Sequence, residues 1–186
     1  MMDSAEHCWF VLRTTYGRER KANDYLNSKN IPTFCPTVRR IKEIHGQRQN
    51  VEESRLPNLF FAYGTEQQLT PLVLHNPELP YLRFYCRYYR RNGCLQCQAI
   101  RVPQRQMDSL MKICAAEGLD TLLLAESIRK FEHGTLVRVT QGPFCGVEGR
   151  IARFKGQQRV GLVVGDSLTA LTAYIPTAYV ERIQEA

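Results

Sequence analysis

Turn signals break up apolar alternation so regularly between residues 131 and 183 that this stretch points to a small antiparallel β-barrel. Phe131-Glu132-His133-Gly134 reads as a turn into a half-buried strand, where Val137 and Val139 alternate with Arg138. Gly142-Pro143 is a turn pair, because proline fixes φ and glycine accepts positive φ. Gly146 and Gly149 allow a sharp return into a second strand. There Val147, Gly149 and Ile151 share one face, and Glu148, Arg150 and Ala152 the other. Lys155-Gly156 turns again into a third strand, Val160-Gly161-Leu162-Val163-Val164. Tyr174-Ile175-Pro176 and the run from Tyr179 to Ile183 supply the fourth and fifth strands, and the tight spacing predicts a closed barrel.

The preceding 115 residues or so are enough for a core of their own. Cys8 to Thr14 is a strand, apolar on both faces at its start. Arg18 to Ser28 is a helix with Ala22, Tyr25 and Leu26 as its inward stripe. Ile31 to Pro36 is extended, as residues before proline prefer. Arg39 to Ser54 is a polar stretch with a loop tip at His45-Gly46-Gln47. Leu56 to Tyr63 is an apolar strand, and Thr65 to Leu74 holds a short helix with Pro71 in its first turn or at a kink. Tyr81 to Tyr85 is a further strand, and Asn92-Gly93 marks a hairpin. Val102-Pro103 leads into a last helix, with Met107, Leu110, Met111 and Cys114 inward and Gly118 at its end. The expected fold class is α+β: helices on a largely antiparallel sheet over residues 1–116, a linker over 117–130, and a small β-barrel over 131–186. Leu122-Leu123-Leu124 either packs back on one domain or belongs to an ordinary tether.

The formal net charge is +7 and the pI about 9.2, a balance that favours polyanions or an acidic protein face as partners, or simply solubility. No apolar run approaches the roughly 18 residues of a membrane span. The N-terminus lacks the basic and apolar regions of a signal peptide, so a cytoplasmic location with reduced cysteines is expected. No nucleophile stands beside a histidine, and no paired carboxylates or phosphate loop appear, so no catalytic residue and no cofactor are expected. Cys94-Leu95-Gln96-Cys97, with Cys86 nearby, lacks a fourth ligand or a second pair. A metal or thiol-redox role is therefore outweighed by incidental cysteines.

Two surfaces stand out. Six arginines and no acid occur between Leu79 and Met107, and Arg87-Tyr88-Tyr89-Arg90-Arg91 interleaves rings with guanidinium groups. Arginine forks bind phosphate and rings stack on unpaired bases, although a solvated hairpin gives the same pattern. A second basic cluster, Arg13, Tyr16, Arg18, Arg20 and Lys21, includes cations that oppose the helix dipole and so need another reason to be there. The rings of Trp9, Phe10, Phe60, Phe61, Tyr63, Phe84 and Tyr85 are too many for one face of the sheet, leaving some for an apolar contact patch if they are not all core.

The words Trp9-Phe10-Val11-Leu12-Arg13-Thr14, Glu19, Ile31-Pro32-Thr33-Phe34-Cys35-Pro36 and Leu56-Pro57-Asn58-Leu59-Phe60-Phe61 resemble the N-terminal (NGN) domain of NusG-like factors. Residues 131–183, with their Gly-Pro-Phe turn, resemble the SH3-like KOW barrel that follows it. KOW modules also occur in ribosomal proteins, so an RNA-binding or ribosome-associated structural protein is the alternative. Asn58 and Leu59 replace the usual Gly and Tyr; the asparagine is shared with specialised paralogues such as RfaH. Val102-Pro103-Gln104-Arg105-Gln106-Met107 is similar to UpxY-type antiterminators of capsular polysaccharide operons. The resemblance implies a monomeric, non-enzymatic transcription elongation and antitermination factor that bridges the cleft of RNA polymerase. It implies polymerase contact through Trp9, Phe60, Phe61 and Tyr63. Arg13, Tyr16, Arg18 and Arg20 would meet non-template DNA; nascent RNA is the other candidate strand, and Arg87, Arg90 and Arg91 join this nucleic-acid set. Phe144 and Arg153 would meet a second partner, such as Rho or a ribosomal protein.

Overall fold

A computed structural model describes residues 6–116, 118–125, 134–165 and 167–184. The expected turn at Phe131-Glu132-His133 and linker residues 126–130 lie outside the described residues. The chain forms two compact units, Met1–Val102 and Pro103–Ala186.

The first unit runs β1 (Cys8–Arg13), α1 (Glu19–Ser28), β2 (Thr33–Phe34), β3 (Thr37–Ile44), β4 (Gln47–Ser54), β5 (Leu59–Gly64), α2 (Glu66–Leu74), β6 (Arg83–Phe84), β7 (Cys86–Arg91), β8 (Cys94–Ala99) and β9 (Arg101–Val102). The central sheet has the order β2-β5-β1-β6, with β9 also on β1, and every pairing is antiparallel. Alternation along β1 and β5 sends Phe10, Leu12, Phe60 and Ala62 to the helix side. They form a core with Ala22 and Leu26 of α1, Leu69 and Val73 of α2, and Leu79 and Leu82. Thr65 and Gln68 close a capping box on α2, and Pro71 sits within the helix, beyond its first turn.

Two hairpins leave this sheet. The stretch read from sequence only as polar is a regular β3–β4 hairpin, paired from Thr37↔Ser54 to Ile44↔Gln47. Its charges lie on both faces, so no alternation betrays it. His45-Gly46 and Asn92-Gly93 both take positive φ (51° and 76°, 50° and 79°), the requirement of a two-residue hairpin turn whose twist matches the strands.

The second unit comprises α3 (Gln104–Ala115), β10 (Leu122–Leu124), β11 (Leu136–Val139), β12 (Glu148–Phe154), β13 (Gln157–Val164), β14 (Leu168–Leu171) and β15 (Val180–Arg182). Among the described residues its six strands hydrogen-bond in the order β10-β14-β13-β12-β11-β15. Two strands differ from expectation. Tyr174-Ile175-Pro176 is not a strand; β14 takes the fourth place, with all four residues buried, and Pro176 instead starts a short 3-10 turn over Thr177–Tyr179. The leucine triplet is β10, paired with β14, so the packing-back reading of the linker describes residues 122–124. Gly149 is required where β12 meets β13, since a Cβ there would lie 2.5 Å from the Gly161 carbonyl oxygen and 2.8 Å from Val160 Cγ1.

Arg159 is 1% exposed, rare for an arginine. Its guanidinium donates to the Asp120 carbonyl and carboxylate and, at 3.1 Å, to the Thr172 carbonyl, tying the chain before β10 to the sheet. Helix α3 packs on β12, β13 and β14. Ser109 Oγ accepts from the Glu148 N–H at 3.2 Å, and Gln106 Oε1 from the Gly165 N–H at 3.0 Å. The sequence reading put this helix in the first domain; its contacts group it with the second unit. Its buried positions are Met107, Ser109, Leu110 and Ile113 rather than the expected set with Met111 and Cys114.

Candidate nucleic-acid and protein interfaces

The antiparallel register places Arg13 of β1 directly opposite Arg83 of β6. Like charges in such a pair repel, so the arrangement favours an anion nearby. Both line a cavity of about 250 Å³ with Thr15, Tyr81, Phe84, Tyr85, Cys86 and Tyr88. The Arg18 guanidinium lies 4.9 Å from the centre of the Tyr81 ring. Tyr81 Oη is buried without a hydrogen-bond partner among the described residues. Cations, tyrosine rings and a spare hydroxyl are the groups that hold a phosphate with its base.

The loop beside this cavity is fixed by Asn58, which has φ 65°. Its backbone carbonyl accepts from the Thr14 N–H at 2.8 Å, and its side-chain oxygen accepts from the Gly17 N–H at 2.8 Å. Glycine would supply the backbone angle without the second bond. Tyr16, held at φ 60° between these points, is 89% exposed.

The predicted nucleic-acid set therefore divides. Arg13, Arg18 and Tyr16 gather at the cavity and its loop. Arg20 lines a different cavity, beside Glu19 and Asp24. On β7, alternation puts Arg90 on the face of Cys86 and Tyr88, which line the first cavity; Arg87 and Arg91 share the opposite face with Tyr89. Tyr81 and Arg83 were not among the predicted contacts. Arg83 was visible in the acid-free arginine run, but only the β1–β6 register brings it to Arg13.

Strand alternation also sorts the apolar candidates. Phe60 belongs to the core beneath the helices and is fully buried, which removes it from any contact surface. Trp9, Phe61 and Tyr63 share the other face with Val11, through the pairs Trp9↔Tyr63 and Val11↔Phe61. The Trp9 and Tyr63 ring centres are 5.4 Å apart, and those of Phe34 and Phe61 are 6.1 Å apart. Tyr63 is half-buried, whereas Trp9 retains 7% exposure and Phe61 none.

Cys94 and Cys97 lie three residues apart on a strand, so their side chains leave opposite faces. The CxxC spacing is thus unsuited to a shared ligand. Burial, and then a hydrogen bond with Cys97, push the Cys86 thiol up to about 12. Among the described residues, no cluster of three or more candidate metal ligands occurs.

In the second unit Phe144 is 3% exposed. The turn folds inward through Gly146 N–H to Val139 carbonyl and Val147 N–H to Phe144 carbonyl bonds, so Phe144 is a core residue rather than an exposed tip. Arg153 is exposed and borders a hollow of about 420 Å³ with Tyr174, Thr177, Gln157 and Gln158.

No curated protein matches the chain significantly. A solved structure described as "Domain interaction in Thermotoga maritima NusG" aligns over 98% of this chain and 100% of that one, at 16% identity and a TM-score of 0.45. Residues 7–78, most of the first unit, are similar to the family described as Transcription termination factor nusG.

Proposed function

We propose that this protein is a non-enzymatic, cytoplasmic transcription elongation and antitermination factor. It binds RNA polymerase, bridges the cleft and favours the productive state over the paused one. The observation that carries the nucleic-acid half is the opposed Arg13–Arg83 pair in a tyrosine-lined cavity, within a stretch similar to the nusG family. In this reading the cavity, with Arg18, Tyr16 and Arg90, holds non-template DNA and confers preference for particular operons, such as capsular polysaccharide loci. Tyr63 and the exposed edge of Trp9 form the polymerase-facing patch, and Phe61, as fully buried as Phe60, supports it by packing rather than by contact. The second unit recruits Rho or a ribosomal protein, with Arg153 and Tyr174 as its contact.

The experiment is co-purification of the tagged full chain with RNA polymerase, comparing wild type with Tyr63→Ala. The half-buried Tyr63 is chosen because its loss spares the core. Recovery of polymerase by wild type and its loss in the variant, with unchanged circular dichroism, supports the reading. Recovery of ribosomes or RNA without polymerase by wild type would replace it with that of a structural RNA-binding protein. For the nucleic-acid half, Arg83→Ala is expected to weaken single-stranded DNA binding and to flatten its salt dependence.

A further inference from the structure

A second cavity of the first unit, about 550 Å³, is lined by α1, β2 and the bases of β3 and β4. Its charged lining is Glu19, Asp24 and Glu52 against a single Arg20, an acidic hollow in a chain of net charge +7. Three carboxylates against one guanidinium leave two negative charges.

Glu19 makes this more than an acidic cluster. The residue is only 7% exposed, and its Oε2 is buried without a hydrogen-bond partner among the described residues. A buried carboxylate oxygen left unpaired costs free energy, so a donor entering the cavity would be bound favourably. Ser54 Oγ, in the same lining, is likewise buried without a hydrogen-bond partner among the described residues, while two neighbouring hydroxyls are engaged. Thr33 Oγ1 donates to Asn27 Oδ1 at 2.8 Å, and Thr37 Oγ1 donates to Glu52 Oε1 at 2.7 Å. The field of the hollow is felt at Cys35, whose thiol is pushed up to about 11 by burial and then by Glu19, Glu52 and Asp24.

The occupant's chemistry follows from geometry. Among the described residues these carboxylates do not converge as metal ligands would. They are distributed along a cavity within the roughly 300–1,000 Å³ range of small-ligand sites. Separated negative charges suit an extended cation with a charge at each end and an apolar stem between them. We propose that this cavity binds a small organic dication, an alkyl chain ending in guanidinium or ammonium groups, with one end on Glu19 and the other toward Glu52. This assignment is independent of the transcription reading.

The test is isothermal titration calorimetry of the full chain with agmatine, putrescine and, as a monovalent control, butylamine. Saturable binding of agmatine or putrescine at one site is expected, with butylamine weaker by about tenfold. Glu19→Gln keeps the shape and removes the charge, and should weaken binding by about tenfold, since a charge-assisted bond becomes a neutral one. Glu52→Gln, at the exposed rim, should weaken the dication several-fold and leave butylamine unchanged. Trp9 fluorescence checks folding; should Glu19→Gln fail to fold, Glu52→Gln decides. Absence of saturable binding at about 10 mM ligand, where even contacts worth only a few kcal/mol register, overturns the proposal. Equal affinity of the folded variants and wild type does so too.

Discussion

Asn58 does two separable things, and two substitutions distinguish them. It occupies the left-handed region at φ 65°, and its side chain accepts the Gly17 N–H at 2.8 Å. Asn58→Gly keeps the backbone angle and loses the side-chain bond, which at this exposed site is worth about 0.5–1 kcal/mol. Glycine's larger freedom in the unfolded chain costs up to about 1 kcal/mol more, offset by its ease at positive φ. Asn58→Ala loses the same bond and adds about 1–2 kcal/mol of left-handed strain, for a total of about 1.5–3 kcal/mol. The Thr14 N–H bond to the Asn58 carbonyl survives both changes, being backbone to backbone. Urea unfolding followed by Trp9, the chain's single tryptophan and part of β1, reports on the first unit. With a slope of about 1.5 kcal/mol per molar, a 1 kcal/mol gap separates the two midpoints by about 0.7 M. The expected order is wild type, then Gly, then Ala. An Ala variant as stable as the Gly variant would refute the claim that backbone conformation selects the residue here.

Gly149→Ala should destabilise the second unit by about 1–3 kcal/mol or more, because the new methyl meets the Gly161 carbonyl on a neighbouring strand; thermal unfolding by circular dichroism reads it, and an unchanged midpoint contradicts the close approach. Arg159 holds the Asp120 carboxyl below its ordinary value of 3.8, first by the hydrogen bond and then by charge. A depressed folded pKa stabilises above the unfolded value, and that contribution fades as pH falls through the lower folded value. Wild type should therefore exceed Asp120→Asn in urea midpoint at pH 6 and converge with it at strongly acid pH; a constant gap would show that the carboxylate charge is irrelevant. Iodoacetamide labelling at pH 8, read by mass spectrometry, should modify exposed Cys94 and Cys145 well before Cys35, whose thiol is pushed up to about 11; equal rates would sink that ranking.

What the sequence disclosed depended on whether a signal was local. Asn92-Gly93 announced its hairpin because asparagine and glycine take the positive-φ turn most readily, whereas His45-Gly46 makes the same turn without that signal. Ala22 and Leu26 announced the inward stripe of α1 because helical period is a property of neighbours. The β3–β4 hairpin stayed hidden, since Arg39, Lys42, Glu43 and Glu52 are distributed without regard to a buried face. Leu168-Thr169-Ala170-Leu171 is buried on both faces, so it offered no alternation either. Phe60 and Phe61 are adjacent on one strand, and composition alone cannot say which faces the helices; that requires pairing with Leu12 and Val11. The same holds at the cavity. Arg13 was visible as a charge at the end of a strand, but Arg83 lies 70 positions away, and only the sheet register makes the two a site.

The location of β10 bears on how the protein should be cut. A fragment beginning at residue 131, where the barrel pattern starts in the sequence, would discard both β10 and α3. One edge of β14 would lose its row of backbone partners, and exposed strand edges recruit other chains. Arg159 would also lose the carbonyl and carboxylate of Asp120 and keep its charge largely buried. Such a piece should self-associate, and its behaviour would be mistaken for a property of the whole protein. The natural point of severance is between Val102 and Pro103, where the cut keeps the second unit's own strands and helix together.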